Sequence, residues 1–160
     1  MTRLPSIDLG LTPGELAFLQ QGYRNNWQQY LATLNGQGAS AAAWDLCVLT
    51  ASNARQAAAY QAQIEARRRA GLLPSQTRFL VMPDPEGLRP GSGGATLSVL
   101  ARLYGEPGAA EGAAAGLAER RTLILHSGGD SRRLPHCSAI GKLFARVPHE
   151  LPDGRPSSLF

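Results

Sequence analysis

The residues best suited to chemistry lie between 121 and 148, a stretch reading RTLILHSGGDSRRLPHCSAIGKLFARVP. An apolar run at 123–125 breaks into Ser127, Gly128, Gly129, Asp130 and Ser131; Arg132 and Arg133 follow, and after a short loop Gly141 precedes Lys142. Small residues let the backbone turn sharply and bring amide N–H groups close to a ligand, while spaced cations neutralise negative charge. A strand, a glycine turn and separated cations together suit a polyphosphate, with amides cradling oxygens and Arg and Lys balancing charge. The chain has 16 Lys and Arg residues, and Lys142 is its only lysine. An ammonium is a compact point charge and a guanidinium a planar fork, so the two are not interchangeable at a tight site.

A second glycine turn, Gly91-Ser92-Gly93-Gly94-Ala95-Thr96, precedes an apolar segment at 97–104 that reads as a helix. It is not a Walker loop, because no Gly-Lys-Ser/Thr follows, and it lacks the third glycine of the dinucleotide fingerprint. Close packing of a helix on a strand explains this turn about as well as a phosphate does. His126, His136 and Cys137 fit no established zinc spacing and read as loop residues near a phosphate.

These turns need elements to hold them. Thr12-Pro13-Gly14-Glu15 has the form of a capping box with proline in the first turn. Leu16, Leu19, Tyr23, Trp27, Tyr30, Leu31 and Leu34 then recur at helical spacing, and Asn35-Gly36 ends the run. Residues 1–43 read as an N-terminal docking helix and linker, with Trp27 and Tyr30 in core packing; residues 44–160 form the body. Residues 44–50 and 77–82 read as strands, and Ser52-Asn53 with Gln56 caps a helix whose inner face carries Ala57, Tyr60 and Ile64. Arg67, Arg68 and Arg69 would complement the negative end of that helix's dipole. Residues 105–116 read as a surface insert, and the tail from 149 as a loop. The repeated strand–loop–helix order predicts an α/β, Rossmann-like fold with a mainly parallel sheet and flanking helices. In such sheets ligands sit beyond the carboxyl ends of the strands, where both glycine turns would lie.

Composition narrows the class. With 160 residues, 43% hydrophobic and 18% charged, the chain has the make-up of about one globular domain. No apolar run approaches the roughly 20 residues that span a bilayer. The first residues lack the apolar core of a secretory signal, so no membrane association and a cytoplasmic location are expected. Cys47 and Cys137 form no framework, and Cys47 reads as a small buried hydrophobe. The net charge of +4 comes from scattered arginines with few aromatics, which argues against nucleic acid as partner and suits an anionic small molecule.

LILHSGGDSRRLPHCSAIGKLFARVP is similar to the signature of sugar-1-phosphate nucleotidyltransferases: a Gly-Gly turn, then Arg-Leu, then a lysine near an apolar segment. WDLCVLTASNARQAAAYQAQI, Pro-Asp-Pro-Glu-Gly, GSGGATL and HSGGDSRRLP…GK, in that order, resemble the fucose-1-phosphate guanylyltransferase family over residues 44–148. That family includes bifunctional enzymes joining this domain to an L-fucokinase domain. The resemblance implies the N-terminal part of a nucleotidyltransferase domain, with GTP, L-fucose 1-phosphate and Mg²⁺ as reactants and cofactor and GDP-L-fucose and pyrophosphate as products. It assigns Arg133 to the triphosphate and the leaving pyrophosphate, and Lys142 to holding phosphate and orienting the attack. Ser127, Gly128 and Gly129 would bring the backbone to the nucleotide, and Gly91, Gly93 and Gly94 would wall the same pocket. Where the general signature often has glycine and then threonine, this chain has Ser131, which can still donate to a phosphate, and Arg132.

The resemblance leaves the metal ligands and the sugar pocket unassigned, because family members supply them from residues well beyond the signature. No kinase glycine motif is present. An L-fucokinase activity would therefore belong to a downstream β-helix and kinase region of a fused protein, and a non-catalytic nucleotide-binding fragment is the competing reading.

Overall fold

The structure is a computed structural model that describes residues 10–36, 44–85, 88, 90–105, 119–127, 135–137, 141–158 and 160. Among these, the chain runs α1 (Pro13–Leu34), β1 (Leu46–Ala51), α2 (Ala54–Arg69), β2 (Arg78–Pro83), α3 (Gly91–Tyr104), β3 (Thr122–His126), β4 (Arg146–Glu150) and β5 (Pro156–Ser158). The expected parallel sheet is present: β1 lies between β2 and β3 and pairs in parallel with both.

β1 reads LCVLTA and is buried along its whole length, as a central parallel strand covered on both faces must be. Its side chains divide by alternation. Cys47, Leu49 and Ala51 join Tyr60 and Ile64 of α2 on one face, with Phe79, Val81, Leu123 and Leu125 beside them. Leu46 and Val48 meet Val99 of α3 on the other face, with Leu80, Met82, Leu103 and Ile124. The two helices therefore cover opposite faces. The chain passes from β1 through α2 to one edge of the sheet, then through α3 across to the other edge.

Local chemistry explains the helix starts. Thr12 and Glu15 form the expected reciprocal capping box on α1, and the Thr12 hydrogen bond holds the Glu15 carboxyl below its usual range. Asn53 caps α2 by accepting from the Gln56 amide, while the Gln56 side chain accepts from the Ser52 N–H and hydroxyl. α3 differs from expectation: Gly91, Gly93 and Gly94 are its first turn, not a loop before it. Glycine disfavours a helix interior, but Ala95 and Val99 bury against the sheet and carry the turn that precedes them.

Two further expectations are corrected. No residue of α1 is buried, and Leu16, Leu19 and Tyr23 of its apolar stripe stay exposed, so the stripe does not dock along its length. Two hydrogen bonds to the body come from its C-terminal part, where the Tyr30 hydroxyl donates to the Leu72 carbonyl and Gln76 donates to the Thr33 carbonyl. Trp27 and Tyr30 are half-buried and pack on each other, with ring centroids 5.3 Å apart. The tail is not a loop. β4 and β5 form an antiparallel hairpin turned at Gly154, whose φ of 81° is the left-handed conformation that glycine accepts. The expected insert at 105–116 lies, apart from Gly105, outside the described residues. No described helix is long and apolar enough to cross a membrane.

Leu49 is fully buried in the central strand. Leu49→Ala should lower unfolding free energy by about 2–5 kcal/mol, read from the urea midpoint. A loss below about 1 kcal/mol would mean that the sheet is not the core.

Candidate active site

In parallel sheets ligands sit in a crevice beyond the carboxyl ends of the strands, here the ends of β1 and its neighbours β2 and β3. From β1 the crevice is bounded by Ser52 and Asn53, at the capped start of α2, and from β3 by Ser127.

The alternation of β3 continues past the end of the strand and ties both covering helices to it. His126 reaches the α3 face, where its Nε2 lies 3.1 Å from the Thr96 hydroxyl. The same hydroxyl donates to the Ser92 carbonyl at 2.9 Å. Ser127 turns to the α2 face. Its hydroxyl donates to the Tyr60 hydroxyl at 2.7 Å, and Tyr60 donates onward to the Ser127 carbonyl at 3.1 Å. The Ser127 amide donates to the Thr50 hydroxyl of β1 at 3.2 Å. The end of β3 is thus fixed from the neighbouring strand and from both layers.

Tyr60 is fully buried, and burial raises its phenol above the ordinary range, against the lowering effect of Ser127. Its ring holds a second point on the chain. Gly141 lies so close that a side chain there would fall within the ring, and its φ of 78° itself favours glycine. The Gly141 amide donates to the Cys137 carbonyl at 2.7 Å, and Cys137 is buried. Lys142 opens the 3-10 turn Lys142–Phe144 and is exposed. Phe144 closes that turn and meets the Tyr60 ring edge-on at 5.3 Å. Arg67 of α2 places its guanidinium 4.7 Å from the centre of the Phe144 ring and donates to Gln63 and Ser158. Burial lowers its pKa. Arg67 therefore packs inward on an aromatic ring instead of serving only the helix dipole.

Of the residues expected in the site, Ser127 lies at the strand end on Tyr60, and Lys142 follows Gly141 on the same ring. Gly91 and Gly93 are exposed in the first turn of α3; Gly94 is half-buried there against Pro90. The Thr96–His126 contact brings that helix to the end of β3. Gly128, Gly129, Ser131 and Arg133 lie outside the described residues.

Tyr60 is the residue that sequence reasoning placed only on an inner helix face. Its partner Ser127 is 67 positions away, a pairing that no local pattern encodes.

Asp84, at the end of β2, also stands at this edge, its amide donating to the Ala51 carbonyl. With Thr50, Ala95, Ser98 and Arg102 it lines a cavity of about 270 Å³ on the α3 face. Burial raises its carboxyl above the ordinary value, and the charge of His126 partly offsets that. A cavity of about 920 Å³ lies elsewhere, between α1, α2 and the β4–β5 hairpin, and includes neither Ser127 nor Lys142. Cys47 is buried with its thiol pushed up to about 11, which makes it inert packing.

Comparison with known proteins converges on the resemblance drawn from the motifs. The chain is 39% identical over 134 residues to a bifunctional fucokinase/GDP-fucose pyrophosphorylase of Arabidopsis thaliana, covering 73% of this chain and 13% of that protein. Over the aligned residues, this chain is homologous to the fucose-1-phosphate guanylyltransferases. The Mus musculus fucose-1-phosphate guanylyltransferase is 36% identical over 105 residues, 66% of this chain and 17% of the mouse protein. The Homo sapiens protein of the same name is 35% identical over 108 residues, 66% of this chain and 16% of its own length. The chain thus spans less than a fifth of the length of these relatives. No protein-family model matches it, and no solved structure matches it significantly.

The raised carboxyl of Asp84 has a measurable consequence. The folded chain holds that proton more tightly than the unfolded chain does. Ionisation therefore costs stability, a cost absent below the ordinary value of 3.8 and growing as pH rises through the raised one. Asp84→Asn should gain melting temperature relative to the unsubstituted chain between about pH 3.5 and pH 7. An equal gap at both pH values would refute the burial argument.

Proposed function

We propose that this chain is the N-terminal part of a nucleotidyltransferase domain that moves GMP from GTP to L-fucose 1-phosphate. A phosphate oxygen of the sugar phosphate attacks the α-phosphorus of the triphosphate. The bond from that phosphorus to the bridging oxygen of pyrophosphate breaks, and pyrophosphate leaves with the bonding electrons.

The observation that carries this reading is convergence at one end of the sheet. The first turn of α3 is joined to the end of β3 through Thr96 and His126, and Tyr60 gathers Ser127 and Gly141, just before Lys142. Such a reaction asks little covalent chemistry of the protein. It asks for positioning and for positive charge where phosphate charge develops. In this reading Lys142 holds phosphate and orients the attack, and Arg133 balances charge on the triphosphate and on the departing pyrophosphate. Gly128, Gly129 and Ser131 supply close donors from the loop, Ser127 fixes where it starts, and Gly91, Gly93 and Gly94 wall the nucleotide from the α3 side.

Mg²⁺ accompanies nucleoside triphosphates in this chemistry, where it screens phosphate charge. Among the described residues no group of three or more His, Cys, Asp or Glu side chains gathers that could hold a metal ion. Asp84 is a single carboxylate, so the described residues by themselves do not make a resident metal site.

The small share of each relative that is matched favours a second reading, in which these residues bind nucleotide without turning it over by themselves. The sugar pocket, any fucokinase region and a cytoplasmic setting belong to the protein as a whole.

The test is pyrophosphate release from GTP and L-fucose 1-phosphate by the protein carrying this chain. Lys142→Ala and Arg133→Ala should each slow turnover by about 10²-fold or more with the fold retained. Unchanged rates would remove both residues from the mechanism. Nucleotide binding without pyrophosphate release in the unsubstituted chain would select the second reading.

A further inference from the structure

The cavity of about 270 Å³ on the α3 face carries two opposite charges that the transfer steps above do not use. Asp84 directly follows β2, and Arg102 lies on α3. We propose that this cavity is a nucleobase subsite, in which the Asp84 carboxylate and the Arg102 guanidinium select guanine. This deepens the nucleotidyl-transfer reading above and rests on it.

The lining has the complement of a guanine ring. Met82, Pro83, Ala95 and Val99 supply apolar surface for a flat heterocycle. Guanine presents two adjacent donors, N1–H and the 2-amino group, and two acceptors, O6 and N7. A carboxylate only accepts, with two oxygens for the two donors; a guanidinium only donates, in a planar fork that matches O6 and N7. Adenine fits neither partner, because its unprotonated N1 would face the carboxylate and its 6-amino group the guanidinium. Among the described residues no ion pair joins Asp84 to Arg102, although both line the one cavity, so each keeps its hydrogen-bonding capacity for a ligand.

The place also suits the rest of a nucleotide. Thr50 lines the cavity and accepts from the Ser127 amide, so one side chain belongs to both the cavity and the end of β3. In the order β2-β1-β3 the ends of β2 and β3 stand two strand spacings apart, about 10 Å. A ribose and its first phosphate bridge a gap of that order. His126, at the end of β3, is near enough for its charge to act on the Asp84 carboxyl. Ala95 directly follows Gly93 and Gly94 on α3, so the glycine turn and the cavity share a wall.

Isothermal titration of the protein carrying this chain, with GTP, ITP, ATP and XTP as probes, reads the selection directly. The unsubstituted protein should bind GTP about 10-fold tighter than ITP, which lacks the 2-amino group, and about 100-fold tighter than ATP. Asp84→Asn should lose about 10–100-fold in affinity for GTP and gain about 10-fold for XTP, because a carboxamide donates to the 2-oxygen that a carboxylate repels. A gain for XTP requires a folded site, so it separates selection from damage to the fold. Arg102→Ala should weaken GTP and ITP about equally, since both carry O6 and N7, and leave their ratio unchanged. Guanosine alone should displace GTP better than adenosine does, which sets the base apart from the phosphates.

A preference for GTP over XTP that Asp84→Asn leaves unchanged would overturn the assignment while leaving nucleotide binding intact. Equal binding of the four triphosphates would do the same, as would full GTP affinity in Arg102→Ala. Failure of the unsubstituted protein to bind any triphosphate would instead defeat the transfer reading, and the subsite with it.

Discussion

The organisation of this end of the molecule depends on a buried phenol with nowhere else to direct its hydroxyl. Tyr60 lies on the inner face of α2, fully removed from water, where an unpaired hydroxyl would cost about 1–3 kcal/mol. Its partner has to come from the strand end, and Ser127 supplies both a donor and an acceptor. The same burial leaves no room beside the ring, so the chain can return there only as glycine. One requirement, that a buried polar group be satisfied, therefore fixes two points 14 residues apart in sequence, from Ser127 to Gly141. The residues proposed to meet phosphate lie between those points or directly after them.

The α3 side obeys a parallel constraint. Side chains alternate along β3, so the residue before Ser127 must face the opposite layer, and His126 meets Thr96 there. A strand that ends by bonding to both of its covering layers is held against rotation about its own axis. That rigidity is what a site built on positioning requires.

Much of the scaffold was legible in the residues themselves. The capping box at Thr12 and Glu15, the Asn53 cap and the apolar run of β1 are local patterns, and each appears where the pattern places it. Alternating strand and helix signals were enough for the parallel sheet. The start of α3 was not legible, because glycine propensity argues against a helical turn that burial of Ala95 and Val99 stabilises. Nor was the exposure of Leu16 and Leu19, since an apolar stripe shows that a helix can dock and not how far its partner surface extends. The β4–β5 hairpin lay hidden behind prolines that usually signal a loop. In the site, Ser127 and Lys142 could be named from glycines and charges, but Tyr60 could not. Its importance is a matter of contacts with residues remote in sequence, and of a return angle that only coordinates reveal.

Hydrogen exchange of the full chain with and without GTP tests the central claim most directly. Convergence of the two glycine segments on one polyanion predicts that GTP slows exchange in peptides covering 91–96 and 127–142 together, while peptides within α1 stay unchanged. Slowing confined to α1 and the β4–β5 hairpin would place the ligand in the cavity between α1, α2 and that hairpin and contradict the account, as would slowing in only one of the two glycine segments.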